Sequence, residues 1–266
     1  MGSSHFALHE YKEAIESFDD CDPLLLEERD CRRMVRHNAI SLIRCGRVQE
    51  GYLQLSILEK MVDDPEQDED LVFYNAYVDY VNGKTAQARE GFENSLESQH
   101  AQEAQLYLAD LDLNGPGDHK VAFETAQSMV AQSDDPVIEA EAERILGEYW
   151  FRNGDYSKAQ DLLTSYLSQD VSSDLRHDRY LLGLSCYYNN DMDGAIENLS
   201  KVAEDDDQLA QNASLHIGLA ALSKGDKDMA RMSFERAASL LGKDDVREQA
   251  LYNYAMIIHE TSYSPF

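Results

Sequence analysis

Proline is scarce, five in 266 residues, and basic side chains are few, 23 against 51 acidic ones. The shortage of proline leaves long stretches free to be helical. The basic deficit, a net charge of −28, repels phosphate backbones and anionic lipid, so nucleic acid and membrane surfaces are poor partners. No apolar run approaches the ~20 residues a membrane helix needs. The four cysteines, Cys21, Cys31, Cys45 and Cys186, form no CxxC pair, which argues against structural zinc. Cys21 and Cys31 either meet across a turn or stay, like the others, as buried thiols.

Signatures of chemistry are missing as well. There is no GxxxxGK[ST], GxSxG or HExxH run, and Gly115-Pro116-Gly117 is too short to cradle phosphate. His5 and His9 stand four residues apart, but at a junction that reads as the remnant of an expression tag, residues 1–5, set apart from the fold. His177 and His216 are scattered on what read as first helices, either facing a groove or solvated at the core edge. The acidic clusters Asp63–Asp70 and Glu204–Asp207 lack the alternating ligands and glycine of a calcium loop, and helix capping explains them more simply. Asn198 and Asn212 match a glycosylation pattern by chance, inside predicted helices. No catalytic residue, cofactor site or metal site is expected.

What the sequence has is a repeat. Ala14, Gly51, Ala88, Ala122, Ala159, Ala195 and Ala230 recur at intervals of about 34–37 residues, the period of a two-helix unit. Four residues on, a bulky side chain recurs: Phe18, Leu55, Phe92, Leu163, Leu199 and Phe234, with Ala126 the exception. Such a pair shares one helix face. Twelve residues before each anchor lies a second small slot, Ala39, Ala76, Gly147, Gly183 and Gly218, with Asp110 the exception. Between the slots come turn residues such as Cys45-Gly46-Arg47, Asn82-Gly83-Lys84, Asn153-Gly154-Asp155 and Asn189-Asn190-Asp191, which close one helix before the next opens. With 43% hydrophobic residues the chain can bury a core.

The run Leu146-Gly147-Glu148-Tyr149-Trp150-Phe151-Arg152-Asn153-Gly154-Asp155-Tyr156-Ser157-Lys158-Ala159 resembles the tetratricopeptide repeat consensus almost throughout. Ile217-Gly218, Gly225-Asp226 and Ala230 follow it again. The resemblance implies an all-α fold, a right-handed superhelical solenoid of antiparallel helix pairs over residues 6–266. Its expected parts are a lone second helix at 6–20, six full repeats over about 32–241, and a lone first helix at about 245–262. The third repeat departs most, with Asn114-Gly115-Pro116-Gly117-Asp118-His119 in place of the usual turn. Half-repeats at both ends lack polar caps, which suggests a segment of a longer protein and self-association through the uncapped ends. The end, Leu251-Tyr252-Asn253-Tyr254-Ala255 through Ser262-Tyr263-Ser264-Pro265-Phe266, resembles long bacterial envelope proteins of this family, which implies a periplasmic or envelope setting, with the cytoplasm as the alternative.

In that family the first helices line a concave groove. Carried onto this chain, the groove positions include Phe73, Tyr77, Tyr80, Tyr107, Arg144, Phe151, Tyr180, Tyr187 and Tyr252. Aromatic rings with a polar tip suit protein recognition; the other reading is that some of them fill the interior. A Lys/Asn/Arg clamp for a C-terminal carboxylate does not match, since these positions are Tyr, Leu and Phe, with Glu148 where a neutral amide is needed. The expected function is a non-enzymatic scaffold that holds a protein or peptide partner. One alternative is a structural segment that packs on its own chain or on a second copy. The other is an accessory domain of an enzyme whose catalytic part lies elsewhere.

Overall fold

The computed structural model describes residues 1–169 and 176–262, and all their regular structure is helical. The helices are α1 Gly2–Ala7, α2 Tyr11–Asp19, α3 Glu28–Arg44, α4 Val48–Leu58, α5 Glu69–Val81, α6 Thr85–Asn94, α7 Ala101–Asn114, α8 His119–Gln132, α9 Pro136–Arg152, α10 Tyr156–Ser168, α11 Arg176–Tyr188, α12 Met192–Val202, α13 Gln208–Ser223, α14 Lys227–Ser239 and α15 Asp244–Ser262. They fold as two compact units, one built on Met1–Leu146, the other on Gly147–Leu167 and the helices from Arg176 onward.

The two slots of the repeat answer each other. A Cβ on Gly147 would come within 2.7 Å of Leu163, one on Gly183 within 2.6 Å of Leu199, and one on Gly218 within 2.6 Å of Phe234. Each pair is sixteen residues apart, so the small residue of a first helix makes the seat for the bulky residue of the second. Carbon atoms do not approach so closely, and the bare backbone is what permits the crossing. The same spacing joins Ala39 to Leu55 and Ala76 to Phe92, all buried. It also joins Gly2 to Phe18, whose ring occupies the space a side chain on Gly2 would need. Residues 2–7 therefore form the first helix of a pair, and α2 is not alone; the stretch set apart as a tag remnant packs into the fold.

The two exceptions in the slots are one event. Asp110 holds a small slot and Ala126 the bulky slot sixteen residues on, so large and small have changed places. Asp110 is only 1% exposed. It accepts a hydrogen bond from the Tyr80 hydroxyl and lies 3.2 Å from the Arg144 guanidinium, which also bonds Glu141 at 2.9 Å. A buried acid persists only when charge and hydrogen bonds are returned to it, and this cluster does so.

The turns use the left-handed region. Gly46, Gly83, Gly154 and Gly225 have φ between 73° and 80°, and His9 at 59° and Asn190 at 64° take the same region at the two such turns without glycine. Aspartates open the following helices. Asp68, Asp191, Asp207 and Asp226 each accept the backbone N–H three residues on. Part of the acidic content thus caps helix starts. The cluster 63–70 supplies the cap Asp68, whose carboxylate takes both guanidinium nitrogens of Arg36 at 2.9 and 2.6 Å, and Asp70, which bonds Arg36 and His100. The cluster 204–207 supplies the cap Asp207, paired with Arg176 at 2.8 Å.

Candidate functional site

The expected groove residues divide by unit. In the first unit Phe73, Tyr77, Tyr107 and Arg144 are buried. Tyr107 stacks on Phe92 at 5.0 Å and meets Tyr77 at 5.3 Å and Tyr80 at 5.2 Å, while Phe73 stacks on His100 at 4.4 Å. Rings that face inward from α5 and α7 meet one another and close over the space between the helices. Beside them the Arg44 guanidinium bonds both Glu103 oxygens at 2.7 Å and donates to the Tyr74 hydroxyl at 3.0 Å. These rings and charges are a packed interior. The correction to the sequence reading is physical: Phe73, Tyr77, Tyr107 and Arg144 present too little surface to grip a partner, and the half-buried Tyr80 spends its hydroxyl on Asp110.

In the second unit the rings form a different arrangement. Phe151 meets Tyr156 edge-on at 5.6 Å, Tyr156 stacks on Tyr188 at 4.5 Å, Tyr188 touches Tyr187 at 5.5 Å, and Tyr187 meets His216 at 5.6 Å. Tyr180, Phe151 and Tyr187 are half-buried, and Tyr188 keeps 49% of its surface in solvent. The ladder runs from the end of α9 to α13 and is anchored beneath by Leu181, Leu199 and Ile217. Tyr252 stands apart from it on α15, 66% exposed.

The ladder is held by its turns. Gln160 donates to the Asp191 carboxylate at 2.9 Å and accepts from Asn189 at 2.7 Å, which ties α10 to the α11–α12 turn and sets Tyr156 against Tyr188. His216 donates from Nδ1 to the Asn212 carbonyl at 2.9 Å. Burial pushes its pKa below the ordinary imidazole value, so it meets Tyr187 as a neutral ring. Phe151, Tyr156 and Tyr187 are half-buried and Tyr188 is open to solvent, an arrangement suited to binding.

Sequence reasoning reached Phe151, Tyr180, Tyr187 and His216 but missed Tyr156 and Tyr188. The signal was the pair of turns: Tyr156 opens a second helix just after Asn153-Gly154-Asp155, and Tyr188 closes a first helix just before Asn189-Asn190. Two aromatic residues that border successive turns fall side by side when pairs stack. The cysteines are free, Cys186 buried and the other three half-buried; burial and the neighbouring Asp191 push the Cys186 thiol up to about 12. Among the described residues no group of three His, Cys, Asp or Glu side chains is placed to hold a metal ion, and no helix is long and apolar enough to cross a membrane.

Residues 180–245 match the family model of the tetratricopeptide repeat. A chain of the anaphase-promoting complex hetero-tetramer Cut9–Hcn1 shares the fold over 97% of this chain, at 16% identity and a TM-score of 0.59. This chain spans about half of that one, 48% of its length. A tetratricopeptide repeat protein from Parabacteroides merdae ATCC 43184 is similar at 14% identity over 96% of both chains, with a TM-score of 0.47. Yeast Tom70 is similar at 13% identity over 95% of this chain and 59% of its own, with a TM-score of 0.48. No curated protein matches the sequence.

Proposed function

The chain carries tetratricopeptide repeats, and from that premise we propose that it is a non-catalytic scaffold that holds a protein or peptide through the aromatic ladder of its second unit. Repeats of this kind generally bind proteins and generally lack catalysis. The observation that supports the reading is the connected, solvent-edged run from Phe151 through Tyr156, Tyr188 and Tyr187 to His216. Rings already fixed against one another lose little freedom when a partner settles on them, and large amphipathic rings dominate binding energy at interfaces. The net charge of −28 favours a partner that is neutral or basic beside the contact.

The test is a double substitution, Tyr156→Ala with Tyr188→Ala, followed by capture of partners from lysate of the source cell and identification of the captured protein. Capture should fall by about tenfold or more while the melting temperature stays close to that of the parent. Full capture with an intact fold would remove the ladder from consideration. The envelope setting proposed from the C-terminal sequence is checked separately, by fractionating the source cell.

A second reading has its own support. α15 exposes Leu251, Tyr252, Met256 and Ile258. An apolar face of this kind suits packing on a second copy.

A further inference from the structure

A second docking surface lies in the same unit, away from the ladder. α12 and α14 flank a cleft of about 640 Å³ whose floor is α13. Met229 and Met232 form its wall on α14, and Ser214 and Ile217 form its floor. Met232 is 63% exposed although it sits on an apolar wall. Methionine is flexible and polarisable, so such a wall adapts to apolar side chains of several shapes.

The floor carries an unused polar group. Ser214 is 1% exposed, and its hydroxyl makes no hydrogen bond. The buried Ser41 of α3 likewise makes no hydrogen bond, while other serines turn back onto the carbonyl four residues before: Ser95 onto Gly91, Ser185 onto Leu181 and Ser200 onto Ile196. Ser214 does not. A buried hydroxyl without a partner costs free energy, and a ligand that reached the cleft floor would relieve it.

The charge of the cleft is one-sided. Asp226 and Asp228 stand at one end. At the other, the Arg236 guanidinium is already committed to the carbonyls of Ala203, Glu204 and Asp205 and to the Asp206 carboxylate. The open charge is therefore negative. Among the described residues there is no β-strand edge for an extended peptide to join. Two flanking helices instead offer ridges and a groove to a third. The thirteen residues of α14 run about 20 Å, the length of an equally long helix.

We propose that this cleft binds an amphipathic helix of about four turns, apolar on the side that meets Met229 and Met232 and carrying lysine or arginine at the end that meets Asp226 and Asp228. The site is separate from the aromatic ladder and does not depend on it.

The probe is a synthetic Leu/Lys peptide of helical periodicity about 14 residues long, with a Leu/Glu peptide of the same pattern as control. The full chain is titrated by calorimetry in about 0.3 M salt, where long-range attraction is screened. Methyl resonances of Met229 and Met232 report the location. The Leu/Lys peptide should bind and shift both methyls, and the Leu/Glu peptide should bind at least about tenfold more weakly. Met232→Lys, a change at an exposed position, should weaken the Leu/Lys peptide about tenfold, and Asp228→Lys should weaken it independently. Tyr188→Ala should leave it within about twofold, which separates this site from the ladder. Equal binding of both peptides, or affinity unmoved by both Met232→Lys and Asp228→Lys, would overturn the proposal.

Discussion

Gly183→Ala sets a methyl group 2.6 Å from Leu199, closer than two carbons can stand, so either the helices part or the leucine leaves its rotamer. The overpacking costs ~1–3 kcal/mol and the better helix propensity of alanine returns ~1 kcal/mol, for a net loss of about 0–2 kcal/mol in urea unfolding. Leu199→Ala alone costs about 2–5 kcal/mol through the cavity it opens. Combined, the two should cost at least ~0.5 kcal/mol less than their sum, because the new methyl fills part of that cavity. Strict additivity would show that the two residues do not share a seat. The swapped pair makes the opposite case. Asp110→Ala leaves Arg144 buried with only part of its compensation, and a loss of about 3–5 kcal/mol is expected; a loss under ~1 kcal/mol would show that the charge had found water. The slots themselves were legible in the sequence as a period. Their partnership was not, because sixteen residues across a turn is no helical spacing, and Asp110 and Ala126 therefore read as two unrelated departures.

Among the elements, the start of α13 carries a measurable charge. Asp207 caps the helix through Ala210 N–H and pairs with Arg176. The Arg176 hydrogen bonds, then the Ala210 N–H, hold its pKa at about 2, below the ordinary 3.8. A carboxylate held low in the folded state adds stability above its unfolded pKa and loses it as pH falls toward the folded one. Asp207→Ala should cost ~1 kcal/mol at neutral pH from the lost cap. The gap between parent and variant should narrow as pH falls from about 5 toward 2, and a gap that widened would contradict the pairing. Half of the Asp207 side chain is exposed, so salt should shrink the ionic part. Most helices and turns were readable from local chemistry, with α1, set apart as a tag remnant, the exception. The fate of the aromatic faces was not: periodicity tells which side of α5 or α7 bears rings, while the neighbour that covers that side is a tertiary fact. Tyr77 and Tyr107 cover each other, whereas Tyr188 borders a turn and keeps an open edge.

For the molecule as a whole, charge and exposed apolar surface pull in opposite directions. Copies that each carry −28 repel one another, while the outer face of α15, with Leu251, Tyr252 and Met256, favours contact. Salt shortens the repulsion to ~3 Å near 1 M without weakening apolar association. Light scattering should therefore show the average mass rising with salt, and Tyr252→Lys should suppress the rise; a constant monomer mass at high salt would show that the α15 face has no affinity for itself. The exchange of large and small between Asp110 and Ala126 bears on how such an array can change over time. Tandem genes grow and shrink by copying or deleting units of one period, and units that seat glycine against leucine can be traded for one another. α7 and α8 cannot be parted in this way. An unequal crossover that joined α7 to another second helix would press a carboxylate against leucine or phenylalanine, and one that joined α8 to another first helix would leave a void. Recombination can pass this pair on intact or lose it, but it cannot split it without loss, and Tyr80 and Arg144, which lie on α5 and α9, must travel with it.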